Sequence, residues 1–320
     1  MKIGLVLGGG GVRGASWMMG ALHGLAAETG WDPGTADVVV GTSAGAVVAA
    51  LTLAGARPWE ALAPEREEFL RALLDGAAFD PRPTVRSLWP GSPPLVATAL
   101  RRGPSYAMHV VAGVLPEGLF STEPIARLIR DRAPLGWPAG QRLWIVATDY
   151  TSGERVAFGR PAAPDAELPA AVAASCAIPA FYRPVRIGGR RYVDGGVHTG
   201  ANLDLVAGEQ LDLVICLNPL SSRPGTASGV YWPVRTLLHQ QLRPQMRAVE
   251  RGGAQLVVLE PDGRSIDLIG LNPMSRHRVE EVGVAAALEV QEYVQHPSVS
   301  RKLAGLPLGP QDGGRMALSG

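Results

Sequence analysis

The chain carries two glycine-centred turns, each placed directly after a short apolar run. Gly8-Gly9-Gly10-Gly11-Val12-Arg13-Gly14 follows residues 3–7, and Gly41-Thr42-Ser43-Ala44-Gly45 follows residues 37–40. Runs of that length fit buried strands, and glycine at the exit lets the backbone turn sharply without a Cβ in the way. Helix-forming sequence comes next in both cases, over 15–28 with Gly30 as a stop signal and over 44–54. A βαβα start of this kind predicts an α/β domain built on a mainly parallel sheet.

Composition narrows the choice. With 320 residues, 46% hydrophobic and 18% charged, the chain can bury a full core. Thirty basic and 29 acidic residues leave a net charge of +1, no field for gripping nucleic acid, so that partner class is dropped. Cys176 and Cys216 read as two buried thiols, since Cys216 lies inside the apolar run 211–217. The start runs straight into a strand without a secretory signal, which predicts a cytoplasmic location. Residues 38–56 are uncharged and close to the ~20 residues that span a bilayer. Their glycine-serine turn divides them into a buried strand and a buried helix instead.

Further along, the spacing predicts a helix over 58–76, a helix capped by Ser121 or Thr122 and running to Asp131, and a strand over 142–149 with a hairpin partner in 151–158. An alanine-rich helix over 168–178 stops at Pro179, and a hairpin over 185–193 turns at Gly188-Gly189. Buried strands over 211–217 and 254–260 flank a helical stretch, 232–250, and a last helix covers 278–294. Residues 80–117 are broken by seven prolines interleaved with apolar residues, and read either as a lid or lipid-facing insertion or as a surface helix pair with loops. One domain over 1–302 with a loose tail over 303–320 is expected.

The chemistry centres on Ser43. A serine hydroxyl attacks a carbonyl only when a base takes its proton and donors stabilise the oxyanion. Gly41 and Gly45 permit a strained turn around Ser43 and close packing of the helix behind it. The same pentapeptide also suits a serine that merely caps a helix. The glycine loop likewise has two readings: an oxyanion hole of backbone N–H groups, or a dinucleotide fingerprint. The second asks for an acidic residue at the end of the next strand, where this chain has Gly41-Thr42-Ser43. For the base, His239 or His277 would complete a Ser-His-Asp order, but both lie in polar, helix-like contexts. Asp194 closes the strand Arg191-Tyr192-Val193 and precedes Gly195 and Gly196, which exposes a carboxylate at a strand end. No His, Cys and Asp cluster has metal-ligand spacing, so no metal and no cofactor is called for.

Taken together, residues 7–14, Gly41-Thr42-Ser43-Ala44-Gly45, Ala174-Ser175-Cys176-Ala177-Ile178-Pro179 and Asp194-Gly195-Gly196 resemble the patatin-like phospholipase family, over roughly 2–219. The resemblance implies a three-layer α/β/α fold and a serine lipid acyl hydrolase working through a Ser/Asp dyad and an acyl-enzyme. It implies Ser43 as nucleophile, Asp194 as base and the N–H groups of Gly9, Gly10 and Gly11 as oxyanion hole. Arg13 and Gly14 would steady the loop or meet a lipid phosphate. Where the family often carries an Asn-x-Pro stretch after the aspartate, this chain reads Val197-His198-Thr199-Gly200-Ala201-Asn202-Leu203-Asp204, with no proline. The expected partner is an acyl lipid, with peripheral contact at the inner face of a membrane. The rival readings are a Ser-His-Asp hydrolase of small esters or thioesters, and a non-catalytic lipid or nucleotide binder.

Overall fold

The computed structural model describes residues 1–55, 57, 91–103, 106–223, 225–226, 232–275 and 277–309. The expected helix over 58–76, the first part of the 80–117 segment and the last residues of the tail lie outside them.

The strands are β1 (Ile3–Leu7), β2 (Val38–Thr42), β3 (Arg142–Asp149), β4 (Arg155–Phe158), β5 (Val185–Ile187), β6 (Arg190–Asp194), β7 (Leu213–Leu217) and β8 (Gln255–Leu259). They form one sheet in the order β5-β6-β3-β2-β1-β7-β8, with β4 paired to β3 off that path. Strands β3, β2, β1, β7 and β8 are mutually parallel, whereas β4 and β6 run antiparallel to β3. The helices are α1 (Gly11–Thr29), α2 (Ala44–Leu53), α3 (Pro93–Arg102), α4 (Ala107–Val114), α5 (Glu123–Arg132), α6 (Leu168–Ser175), α7 (Trp232–Arg251), α8 (Gly263–Ile269), α9 (Val279–Gln295) and α10 (Pro297–Leu303).

Strand alternation sends side chains to two buried layers. Leu5, Leu7, Val39, Ile145 and Ile215 pack under α1, α2, α6 and α9. Val6, Val40, Trp144, Val146 and Cys216 face the other way, against Leu203, Leu205 and the α7 residues Leu242 and Val249. This is the expected three-layer α/β/α arrangement. Both cysteines are free and buried.

β1 has β2 on one side and β7 on the other, so the chain switches direction across it and opens a crevice at the strands' carboxyl ends. Both glycine turns empty into that crevice. On the far side, α1 lies so close to α9 that a Cβ on Gly20 would sit 1.9 Å from the Gly283 carbonyl oxygen, and one on Gly24 2.4 Å from that of Ala287. The C-terminus of α1 ends on Gly30 in the left-handed region, which donates to the Ala26 carbonyl.

The described part of 80–117 is a helix pair, α3 and α4, with Ser92 capping α3 through the Leu95 N–H. Leu95 and Ala112 of the pair pack on Tyr150, Val193 and Val197. The alanine-rich helix ends three residues earlier than expected, at Ser175.

Candidate active site

Ser43 stands between β2 and α2 with φ 53 and ψ −122, a conformation that L-residues rarely adopt. Tertiary contacts hold it there. Its N–H donates to Ser175 Oγ at 2.9 Å, and its carbonyl accepts the Ala46 N–H at 2.8 Å and the Cys176 thiol at 3.3 Å. The flanking glycines are required by contact: a Cβ on Gly41 would lie 2.6 Å from Ala46 Cα, and one on Gly45 2.1 Å from the Leu7 carbonyl oxygen. The serine thus sits at the N-terminus of α2, where the helix dipole presents partial positive charge.

Asp194 reaches the same place through sheet register. Thr42 pairs with Val146 across β2 and β3, and the next residue, Ala147, pairs with Asp194 across β3 and β6. The Asp194 carboxylate is buried, with Oδ1 accepting the Gly196 N–H at 2.7 Å. Oδ2 is buried without a well-formed hydrogen bond. Burial pushes this carboxyl up to about 6, opposed by hydrogen bonding from the Ser43 hydroxyl and then from the Gly196 N–H. Gly195 must be glycine, since a Cβ would fall 2.3 Å from the Val146 carbonyl oxygen. Cys176, buried behind the serine, has its thiol pushed well up by burial and by Asp194, so it stays protonated.

The glycine loop lies against the serine, a Cβ built on Gly9 being 3.5 Å from Ser43 Cβ. Gly8 N–H donates to Leu217 at 2.9 Å and Gly9 N–H to Gly200 at 2.8 Å. The Gly9 amide is therefore occupied, which departs from the expectation that three glycine amides converge on an oxyanion. Among the described residues no backbone carbonyl takes the N–H of Gly10 or Gly11. Gly11, at φ 60, opens α1 under the Pro273 carbonyl and the Met274 sulfur. Arg13 donates through Nη1 to the Ile269 carbonyl at 2.7 Å and through Nη2 to Ser275 Oγ at 2.9 Å, pinning the 269–275 connection over the loop. Gly14 donates to the Gly10 carbonyl.

No histidine hydrogen-bonds Ser43 among the described residues. His239 pairs through Nδ1 with Glu260 at 3.0 Å, and His277 is exposed. His198, four residues after Asp194, packs edge-on to His109 of α4 with ring centroids 5.6 Å apart. Burial lowers both, His198 to about 4 with help from Arg155 and then His109, so both imidazoles are neutral. Asn202, which sequence reasoning noted only for its missing proline, is fully buried beside Thr42 and Gly195. Among the described residues no group of three His, Cys, Asp or Glu side chains could hold a metal ion. None of their helices is long and apolar enough to cross a membrane.

The family model described as Patatin-like phospholipase matches residues 5–207. Among solved structures, VipD from Legionella pneumophila is similar at 14% identity and a TM-score of 0.39, covering 91% of this chain and 67% of its own. The type III effector protein ExoU is similar at 16% identity and a TM-score of 0.34, covering 94% of this chain and 53% of its own. No curated protein matches.

Proposed function

Because the chain belongs to the patatin-like phospholipase family, we propose that it is a serine acyl hydrolase that cleaves ester bonds of phospholipids or related acyl lipids, with Ser43 as nucleophile and Asp194 as base. The observation that carries this reading is a strained, tertiary-held serine on the turn after β2, which the sheet register brings near a buried carboxylate raised to about 6. A base poised there is ionised near neutral pH yet basic enough to take a proton in the transition state.

In the proposed cycle the Ser43 oxygen bonds to the ester carbonyl carbon while its proton passes to Asp194. The charge that develops on the carbonyl oxygen is met by the N–H groups of Gly10 and Gly11 and by the N-terminus of α2. Gly9 serves instead as the loop's anchor to Gly200. The carbon–oxygen bond to the alcohol then breaks, Asp194 returns the proton to the departing oxygen, and the acyl group remains on Ser43. Water repeats the sequence, giving its proton to Asp194 as its oxygen bonds to the acyl carbon. Breakdown of that intermediate releases the acid and restores the hydroxyl. An aspartate is a weak base, so the donors matter; removing one such donor typically costs about 2.7–4 kcal/mol of transition-state stabilisation.

Peripheral contact with a lipid surface is part of the proposal. α3 and α4, packed over the base loop, leave Leu100, Met108, Val111, Val114 and Leu115 exposed.

The test is acyl release from a short-chain p-nitrophenyl ester and from phosphatidylcholine vesicles by the wild type, Ser43→Ala and Asp194→Asn. Turnover of both substrates with both variants dead supports the reading. Reaction with the soluble ester alone removes the phospholipid claim, and substantial activity in either variant removes the dyad.

A further inference from the structure

We propose that Asn202 is the positioning residue of this site, one buried side-chain amide that sets the nucleophile strand, the base loop and the glycine loop in a single register. This rests on the dyad reading for its catalytic consequence, but its structural content stands apart from it. The Asn202 Nδ2 donates to Thr42 Oγ1 at 3.1 Å, to the Thr199 carbonyl at 2.8 Å and, more weakly, toward the Gly195 carbonyl at 3.4 Å. Thr42 immediately precedes Ser43, and Gly195 immediately follows Asp194. The loop that Asn202 closes also supplies the Gly200 carbonyl that receives the Gly9 N–H. Two parts of the proposed machinery therefore meet at this side chain, and the third, the glycine loop, is joined through the Gly200 carbonyl of the loop it closes.

The residue type follows from two demands at once. Asn202 has φ 54 and ψ 35, in the left-handed region that asparagine tolerates better than most side chains. Its two amide hydrogens must also serve Thr42 Oγ1 and the Thr199 carbonyl, one of them shared with the Gly195 carbonyl, while Oδ1 accepts from Arg155 Nη1 at 3.3 Å. Its own N–H donates to Thr199 Oγ1 at 2.9 Å, and the following N–H, of Leu203, to Gln245 Oε1 at 2.8 Å. Arg155 then fastens the loop to β4 by two parallel bonds of 2.7 Å to Asp204. A buried polar network of this kind favours one arrangement, since a slip strands several polar groups without partners.

The experiment compares the wild type with Asn202→Asp, Thr42→Val and Thr42→Ser. Asn202→Asp keeps shape and backbone tolerance but turns the donor into an acceptor facing two carbonyls. Thr42→Ser keeps the acceptor that Thr42→Val removes. Amide hydrogen exchange by NMR is read at Gly9, Gly196 and the β7 residue Ile215. Asn202→Asp should speed exchange at Gly9 and Gly196 by about tenfold or more without moving Ile215. Thr42→Val should do so to a smaller degree, and Thr42→Ser should match the wild type. Unchanged protection at Gly9 and Gly196, or acceleration only in step with Ile215, overturns the proposal. Should Asn202→Asp fail to fold, the Thr42 pair makes the same decision.

In parallel, the maximal rate of serine labelling by a fluorophosphonate should fall about 100-fold in Asn202→Asp, the scale of a small misplacement of reacting groups, with half-saturation unchanged. A wild type that does not label would sink the serine-nucleophile reading. The exchange result would still decide the role of Asn202.

Discussion

Ser175 Oγ accepts the N–H of Ser43 at 2.9 Å and donates its own proton to the Val146 carbonyl at 2.5 Å. One buried hydroxyl thus ties the strained turn to β3, the strand that lies between those of Ser43 and Asp194. Ser175→Ala leaves both Ser43 N–H and the Val146 carbonyl without that partner. The expected result is a stability loss of about 2 kcal/mol in urea unfolding and slower acylation. A variant as stable and as fast as the wild type would show that the turn is held by something else.

The raised carboxyl of Asp194 predicts a pH profile. The base form is the carboxylate, so kcat/KM should rise with pH through about 6 and then level off. A profile flat from pH 5 to 8, or one that falls across that range, contradicts Asp194 as the base.

The same group makes an opposite demand on stability. Its folded pKa, about 6, lies above the ordinary 3.8, so folding favours the protonated form. Stability from this group is fully present below about pH 4 and is lost as the pH rises through about 6. Asp194→Asn should therefore stabilise the protein at pH 8, by roughly 3 kcal/mol at most, and do nothing at pH 4. Thermal unfolding at the two pH values checks the difference, and equal effects at both would refute it.

The apolar face of the α3–α4 pair predicts a split between substrates. Met108 is 52% exposed and Val111 48%, next to residues that pack on Val193 and Val197 either side of Asp194. Met108→Asp with Val111→Asp should lower turnover of phosphatidylcholine vesicles by about tenfold while leaving the soluble ester within about twofold. Parallel losses on both substrates would mean that the face supports the fold and not lipid contact.

Much of this was legible in the sequence because it is written locally. The two glycine turns, their strands and the helices behind them follow from apolar run length and from where glycine interrupts it. The strand that ends at Asp194 and the hairpin before it follow from a Gly-Gly turn. What stayed hidden depends on register between distant segments. Gly9, Gly10 and Gly11 look equivalent in the chain, and only the approach of Gly200 distinguishes the first from the other two. Asn202 has no periodic context, and its contact with Thr42 spans 160 positions. The helix pair in the described part of 80–117, one of the two readings of that segment, accommodates its prolines because Pro93 and Pro94 stand in the first turn of α3, where proline is tolerated. Gly20 and Gly24 lower the helix propensity of α1, so nothing local announces that they exist for α9.

That last contact reaches the glycine loop from behind. A wedge as small as one methyl group at Gly20 would have to push α1 away from α9, and α1 is the rod whose tip carries the amides of Gly10 and Gly11. Gly20 lies nine positions beyond Gly11, about 14 Å along the axis. A genetic screen for inactive variants should therefore collect hits on the back of the molecule, and mapping them would trace the rod rather than the cleft.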